Sequence, residues 1–515
     1  MNLSGMLLGA SRTAPDSVAL VSEAGTSTYG TLGSEVRAAA GGLRQLGVAP
    51  GDRVAIVAGN EAEFVVVYLA TLHAGAVAVP LNPTAAPVEL ARELEDVDAE
   101  IAVIDRSGVA AFEASGAALP AVGARCELAR PAGTWDELRG ADEIPEPVER
   151  ADDDLAVLLY TAGTAGAPKA AMLTHGNLVA SIRQIQEQPE LRIEPRDVGL
   201  AALPLFHIYG LNTGLGVAMT AGASQVLVRD FDPAATLRTM RDEKATIVAG
   251  VPAMYEMWCD AARDAEGELD DAFATVRLVL SGAAPLPEDL AERVKERFGT
   301  DIYEGYGLTE ASPVVTTGGV GSPPRPGSVG PAIDGVEVRL VDSDGADVLH
   351  GDPGEIWVRG PNVFPGYWRD PEATATVLTD DGWLRTGDIA VADADGWLSI
   401  VNRAKDLIIV SGFNVYPGEV EDVLVEHPDV DEAAVVGAPD TATGEAVVAF
   451  VAPVEGTSPS VDDLRAFCKE RIARYKVPSR IEVVDDFPRS LAGKVLRRAL
   501  REMAESDDPA TRNPA

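Results

Sequence analysis

The chain has 515 residues, too many for a single hydrophobic core, so two or more domains are expected. Its 46% hydrophobic and 24% charged residues are ordinary for a soluble globular protein, but 81 acidic against 42 basic residues leave a formal net charge of -39, with lysine at only seven positions. That balance argues against a nucleic-acid partner and against an anionic membrane surface, both of which need clustered Lys and Arg. The acids are spread along the chain rather than gathered in a tail, which reads as a solvated, salt-adapted surface of the kind a halophile uses.

In chain order, Met1 to Arg12 lacks the basic region and long apolar run of a signal peptide. Short Val/Ile-rich runs then alternate with amphipathic stretches: Arg53 to Val57, Ala76 to Pro80, Ile101 to Ile104, Leu155 to Tyr160, Ser224 to Val228, Thr246 to Val248 and Val276 to Leu280, with helices over Glu35 to Leu46 and Leu286 to Phe298. This alternation predicts α/β architecture with parallel sheets and helices on their faces. Phe64 to Leu81 is uncharged, yet Gly75 and Pro80 divide it into a buried helix and a buried strand, so no stable membrane insertion is expected. Between Ser328 and Ile400, strands joined by Asp-Gly turns predict an antiparallel, small β-barrel-like region. A second α/β unit follows from Leu407, with helices Pro417 to Glu426 and Val461 to Ala473 around a strand at Glu432 to Gly437. The three cysteines (Cys126, Cys259, Cys468) form no CxxC pair, which fits a reducing cytoplasm and argues against a disulfide framework or a zinc site.

The most informative segment is Tyr160-Thr-Ala-Gly-Thr-Ala-Gly-Ala-Pro-Lys169. Glycines let backbone N–H groups approach phosphate oxygens, while Thr hydroxyls and a lysine add donors and charge. The spacing is not that of a Walker A loop, which disfavours a P-loop NTPase. Further segments follow in order: Pro204-Leu-Phe-His-Ile-Tyr-Gly210, Ser281-Gly-Ala-Ala-Pro-Leu286, Glu304-Gly-Tyr-Gly-Leu-Thr-Glu310, Trp383-Leu-Arg-Thr-Gly-Asp388, Asn402 to Glu421, and Pro488-Arg-Ser-Leu-Ala-Gly-Lys-Val-Leu-Arg-Arg498.

Together these segments, spanning Thr28 to Arg498, resemble the AMP-forming adenylating superfamily of acyl-CoA synthetases, aryl-CoA ligases, luciferase-type enzymes and peptide-synthetase adenylation domains. The departures are Ala162, Ala165 and Ala170, where the family commonly has Ser, Thr and Gly, and Asn402, where Gly is frequent. The resemblance implies a large N-terminal domain over 1–402, a hinge at 403–406 with Lys405 at its centre, a small mobile C-terminal domain over 407–503, and a tail from 504 that reads as disordered. ATP would be held by Thr161, Gly163, Thr164, Gly166 and Lys169 at its phosphates, and by Gly282, Ala283, Ala284, Glu304, Gly305, Tyr306 and Gly307 around adenine. Thr309 would contact the α-phosphate, Asp388 and Arg403 the ribose, and Glu310 the Mg²⁺. Phe206, His207, Tyr209, Gly210, Gly282 and Gly307 would border the acid, Gly412 and Phe413 the CoA tunnel, and Lys494 would be the mobile catalytic lysine, in a context that resembles a lysine-acetylation site.

The implied reaction joins a carboxylate to ATP as acyl-AMP, releasing pyrophosphate, and then transfers the acyl group to CoA. Small partners are thus expected: a carboxylic acid, ATP with Mg²⁺, and CoA; a homodimer stays open. Phe206 to Leu211 carries no Asp to bind an amino acid's ammonium group, and no carrier-protein segment follows Arg498, which together disfavour a peptide-synthetase domain. The small residues of the acid site favour a medium- or long-chain fatty acid, with an aryl acid as the alternative and a degenerate, non-catalytic nucleotide binder as a further one.

Overall fold

The structure, a computed structural model, describes the chain apart from residues 118, 124–132, 162–167, 320–322, 343, 404–407, 411–412, 416, 441–443, 473–475, 490–494 and 506–515; at 123, 402, 403, 409, 413, 414 and 444 only the backbone is described. The chain divides into two compact units, one comprising 1–163, 167–338 and 357–385, the other 164–166, 339–356 and 386–515.

The first unit is built on two large sheets. One has eight strands in the order Val314–Thr317, Tyr303–Gly307, Leu278–Ser281, Ile247–Gly250, Val198–Ala201, Ser224–Leu227, Val18–Ser22 and Gly25–Thr28. Its interior pairings are parallel and the outermost pair at each edge is antiparallel. The other has seven strands, from Gly133–Thr134 through Ala121–Gly123, Ile101–Ile104, Arg53–Val57, Val77–Leu81 and Leu155–Thr161 to Lys169–Thr174. Only its last pair is antiparallel. The inner strands are buried on both faces, which explains their uninterrupted Val/Ile/Ala runs.

Local chemistry sets the helix bounds. Tyr29–Gln45 starts six residues ahead of the amphipathic run because Thr28 accepts the Thr31 N–H and caps it. Glu288–Phe298 carries Glu288 and Asp289 in its first turn, Lys295 and Arg297 in its last, and stops at Gly299 with φ 70°. The apolar stretch at Phe64 lies in the buried helix Ala62–His73, and among the described residues no helix is long and apolar enough to cross a membrane.

The β region expected after Ser328 is a four-stranded sheet in the order Glu337–Val341, Gly354–Arg359, Leu384–Ala392, Leu398–Arg403. Within the second unit, Gly444–Pro453 and Val430–Asp440 form a long antiparallel ribbon, and Arg480–Val483 adds to it in parallel. Its core includes Val420, Leu424, Val435, Ala449 and Leu464.

Candidate active site

Three parallel strands of the eight-stranded sheet, two of them adjacent and the third one strand away across Ile247–Gly250, deliver the sequence-predicted residues. Val198–Ala201 leads into Pro204 to Gly210, Leu278–Ser281 into Gly282 to Ala284, and Tyr303–Gly307 into Thr309 and Glu310. All three segments leave the carboxyl ends of their strands, where ligands of open parallel sheets sit because loops there are free to diverge.

Packing draws these segments together. A β-carbon on Gly282 would lie 3.4 Å from a Tyr209 ring carbon and 3.5 Å from the Gly305 carbonyl oxygen, so Tyr209, Gly282 and Gly305 border one slot. Burial holds the Tyr209 phenol well above the usual tyrosine range, keeping it neutral. His207 is exposed, and its Nδ1 accepts the Tyr209 N–H at 3.3 Å. Phe206 is half-buried. Ala283 takes a left-handed conformation, φ 67°, which is strained for a residue with a β-carbon. Glu304 accepts the Leu286 N–H at 3.1 Å and thereby ties the 282–286 loop to the adjoining strand. Burial pushes its carboxyl up to about 7.

Glu310 sits in the short turn Thr309–Ala311, where its Oε1 accepts the Tyr367 hydroxyl at 2.7 Å. Burial, reinforced by the Glu310 charge, keeps that phenol above its ordinary range, so it stays a donor. The turn is pinned from outside. Phe364 N–H donates to the Glu310 carbonyl, Asn362 Nδ2 to those of Ala311 and Val314, and Asn212 Nδ2 to that of Ser312. Among the described residues no group of three acidic, His or Cys side chains gathers as a self-sufficient metal site. A single carboxylate fits Mg²⁺ nonetheless, since that ion is commonly held by one or two carboxylates together with substrate phosphates.

The phosphate loop is flanked by a hairpin in which Thr161 pairs with Lys169. Lys169 Nζ donates to Asp370 Oδ2 at 2.5 Å. Tyr367 and Asp370 belong to one stretch that runs along the strand Lys169–Thr174, through Met172 N–H to Gly366 O at 3.0 Å and Trp368 N–H to Ala170 O at 2.8 Å. This short stretch therefore reaches both the expected metal carboxylate and the expected phosphate lysine, and sequence reading missed it. It also missed Asn60, buried after the strand Arg53–Val57, whose amide donates to Ala201 O and Leu203 O and accepts from Leu205 N–H, fixing the approach to Phe206 and His207.

In the second unit, Asp388 is buried and pairs in register with Arg403 on the antiparallel neighbour. The Thr386 hydroxyl accepts the Asp388 N–H at 3.1 Å. Gly163, Thr164, Gly166, Lys405, Gly412 and Lys494 lie outside the described residues, and the side chains of Arg403 and Phe413 do too.

Residues 9–368 match the model of the AMP-binding enzyme family, and residues 419–494 match its C-terminal domain. The chain belongs to the AMP-binding enzyme family. Among its relatives, a feruloyl-CoA synthase from Amycolatopsis sp. is 39% identical over 477 residues, covering 92% of this chain and 93% of the relative. A long-chain-fatty-acid–CoA ligase from Escherichia coli O157:H7 is 34% identical over 524 residues, covering 95% and 92%. Among solved structures, ATP-bound MatB from Rhodopseudomonas palustris superposes with a TM-score of 0.87 at 35% identity, covering 98% of this chain and 99% of that one. The homologues of this AMP-binding enzyme include acid–thiol ligases, and the adenylate-forming CoA ligases use ATP, Mg²⁺ and CoA.

Proposed function

We propose that this AMP-binding enzyme is an AMP-forming acid–CoA ligase whose acid is a planar aryl acid. The observation that carries the ligase reading is the stretch 364–370, which brings Tyr367 to Glu310 and Asp370 to Lys169. A pure nucleotide binder has no evident need for both an oriented metal carboxylate and a tethered phosphate lysine.

In this reading two anions, the acid's carboxylate and the α-phosphate of ATP, must meet. Lys169 and Lys494 supply fixed positive charge against their repulsion, Thr309 donates to the α-phosphate, and Glu310 would hold Mg²⁺, whose part is to neutralise phosphate charge. Asp388 presents two acceptor oxygens suited to a ribose diol. CoA thiol then attacks the activated carbonyl and AMP leaves, with the C-terminal domain turning about Lys405 between the two steps and Gly412 and Phe413 lining the approach of CoA. Among the described residues Cys259 and Cys468 are buried and free, which suits the reducing cytoplasm expected from the cysteine spacing.

For the acid, the small residues Gly210, Gly282, Ala283, Gly305 and Gly307 by themselves favour a long tunnel. The Tyr209 ring stands against the space that Gly282 leaves, which favours a flat slot, and the feruloyl-CoA synthase has the higher identity of the two relatives. A medium- or long-chain fatty acid remains the second reading, supported by the fatty-acid ligase. ATP–pyrophosphate exchange over hydroxycinnamates, benzoates, fatty acids and amino acids, with and without CoA, tests both. Exchange restricted to aryl acids is the expected result. Exchange confined to fatty acids overturns the aryl assignment, and ATP binding without exchange for any acid overturns the ligase.

A further inference from the structure

Asp370 has two carboxylate oxygens engaged in two different tasks. Oδ1 accepts the Ala373 N–H at 2.8 Å and caps the helix Pro371–Val377, while Oδ2 accepts from Lys169. The Lys169 bond is the leading reason, ahead of the Ala373 N–H, that the Asp370 carboxyl lies below its ordinary range. The two partners differ in freedom. Asp370 is locked into its turn, because its carbonyl accepts the Thr374 hydroxyl at 2.8 Å, and that hydroxyl accepts the Tyr367 N–H at 2.9 Å. Lys169 is a point charge on a flexible four-carbon stem with three donors. Both side chains are 34% exposed, so water screens the pair and its exchange for another anion is cheap.

We propose that Asp370 is a resident counter-ion for Lys169, occupying the lysine before ATP arrives, yielding it to the ATP phosphates, and taking it back as pyrophosphate departs. The proposal rests on the ligase reading above and deepens it by naming a residue that sets how tightly the phosphates are held. An ATP polyphosphate carries more charge than one carboxylate, so it wins the lysine when bound. Pyrophosphate must leave in every turnover, and a fixed competitor for Lys169 speeds that departure at the expense of ATP affinity. Asp370 is in this sense a positioning residue, acting through Lys169 without touching the reacting atoms.

Asp370→Asn separates the two tasks, because asparagine caps helices as well as aspartate does but offers no charge to lysine. The full-length protein is titrated calorimetrically with Mg²⁺ and the α,β-methylene analogue of ATP, and separately with Mg²⁺ and pyrophosphate. Both dissociation constants are expected to fall by about two- to fivefold in D370N, the range of a part-exposed ion pair. The effect is expected to vanish when D370N is introduced into Lys169→Met, and the thermal midpoint is expected to stay within about 2 °C of wild type if the cap is kept. Unchanged constants overturn the proposal, as does weaker binding in D370N, which would mean that Asp370 aims the lysine rather than competing for it. A tightening that persists without Lys169 also overturns it. If wild-type protein binds neither analogue nor pyrophosphate, it is the nucleotide reading that fails, and the competition idea with it.

Discussion

Gly307 is the position where the geometry of the candidate site leaves least room. A β-carbon there would lie 2.2 Å from the Pro313 carbonyl oxygen, 2.9 Å from its carbon and 3.2 Å from Val314 Cα. All three are backbone atoms of the return strand, which is held to this one by the Leu308 N–H to Pro313 O bond at 3.0 Å. A carbon–oxygen contact needs about 3.3 Å, so Gly307→Ala must open the pair by about 1 Å. The strain cannot be absorbed on the far side, because Asn362 and Asn212 pin the Ala311 and Ser312 carbonyls. It falls instead on Tyr306, Thr309 and Glu310. Displacements of that size at a reacting centre cost about 10²-fold in rate, and overpacking costs about 1–3 kcal/mol in stability. The assay is ATP–pyrophosphate exchange on the accepted acid, alongside a thermal melt. Gly282→Ala is the stability control, since its new contacts at 3.4 and 3.5 Å are ordinary; it is expected to keep the melting point of wild type. If Gly307→Ala retains exchange within about threefold of wild type at an unchanged melting point, the close approach does not constrain the site and the reasoning fails.

Tyr367→Phe removes the hydroxyl that donates to Glu310 Oε1 and should weaken Mn²⁺ binding in the presence of nucleotide about tenfold or more, read by electron paramagnetic resonance of the free ion; unchanged Mn²⁺ affinity would detach Tyr367 from the metal carboxylate. Glu304→Gln tests the buried carboxyl. Its folded value of about 7 stands above the ordinary 4.5, so the folded state binds the extra proton and stability falls as pH rises through that window. The variant should gain on the order of 2–3 kcal/mol over wild type at pH 8 and almost nothing at pH 4, by urea denaturation; an equal effect at both pH values would refute the assignment. A residual pH dependence is expected from Glu93, whose carboxyl burial also raises to about 7. Lys494→Ala should abolish adenylation while largely sparing thioester formation from supplied acyl-AMP, and equal loss of the two half-reactions would remove Lys494 from its role.

The family was legible in the glycine-rich and aromatic segments because such motifs are local in sequence. A loop that must admit phosphate needs glycine within a few residues of lysine, and Tyr-Gly-x-Thr-Glu lies in one run. The alternation of buried strands and amphipathic helices was legible for the same reason, although Thr28 moved one helix start. What was not legible works at long range. Tyr367 meets Glu310 across 57 residues, Asp370 meets Lys169 across 201, and Asn60 meets Leu205 across 145. No spacing rule connects such partners, and each alone reads as a residue in a turn or before a helix. The faint signal available was asparagine next to apolar runs, since a buried amide must find partners for both its donor and its acceptor.

Those asparagines bear on how the protein could change over evolutionary time. The side-chain amides of Asn60, Asn177, Asn212 and Asn362 all donate to main-chain carbonyls: Ala201 and Leu203, Pro361 and Val363, Leu178 and Ser312, Ala311 and Val314. A scaffold fastened through peptide groups is indifferent to which side chains its loops display. Residues 206 and 209 can therefore drift, one substitution at a time, without loosening the frame that aims Thr309 and Glu310, whereas Gly210 is held, since a β-carbon there would meet the Pro204 carbonyl oxygen at 2.4 Å. Such a division of labour lets one scaffold acquire new acid preferences while its nucleotide chemistry stays in place.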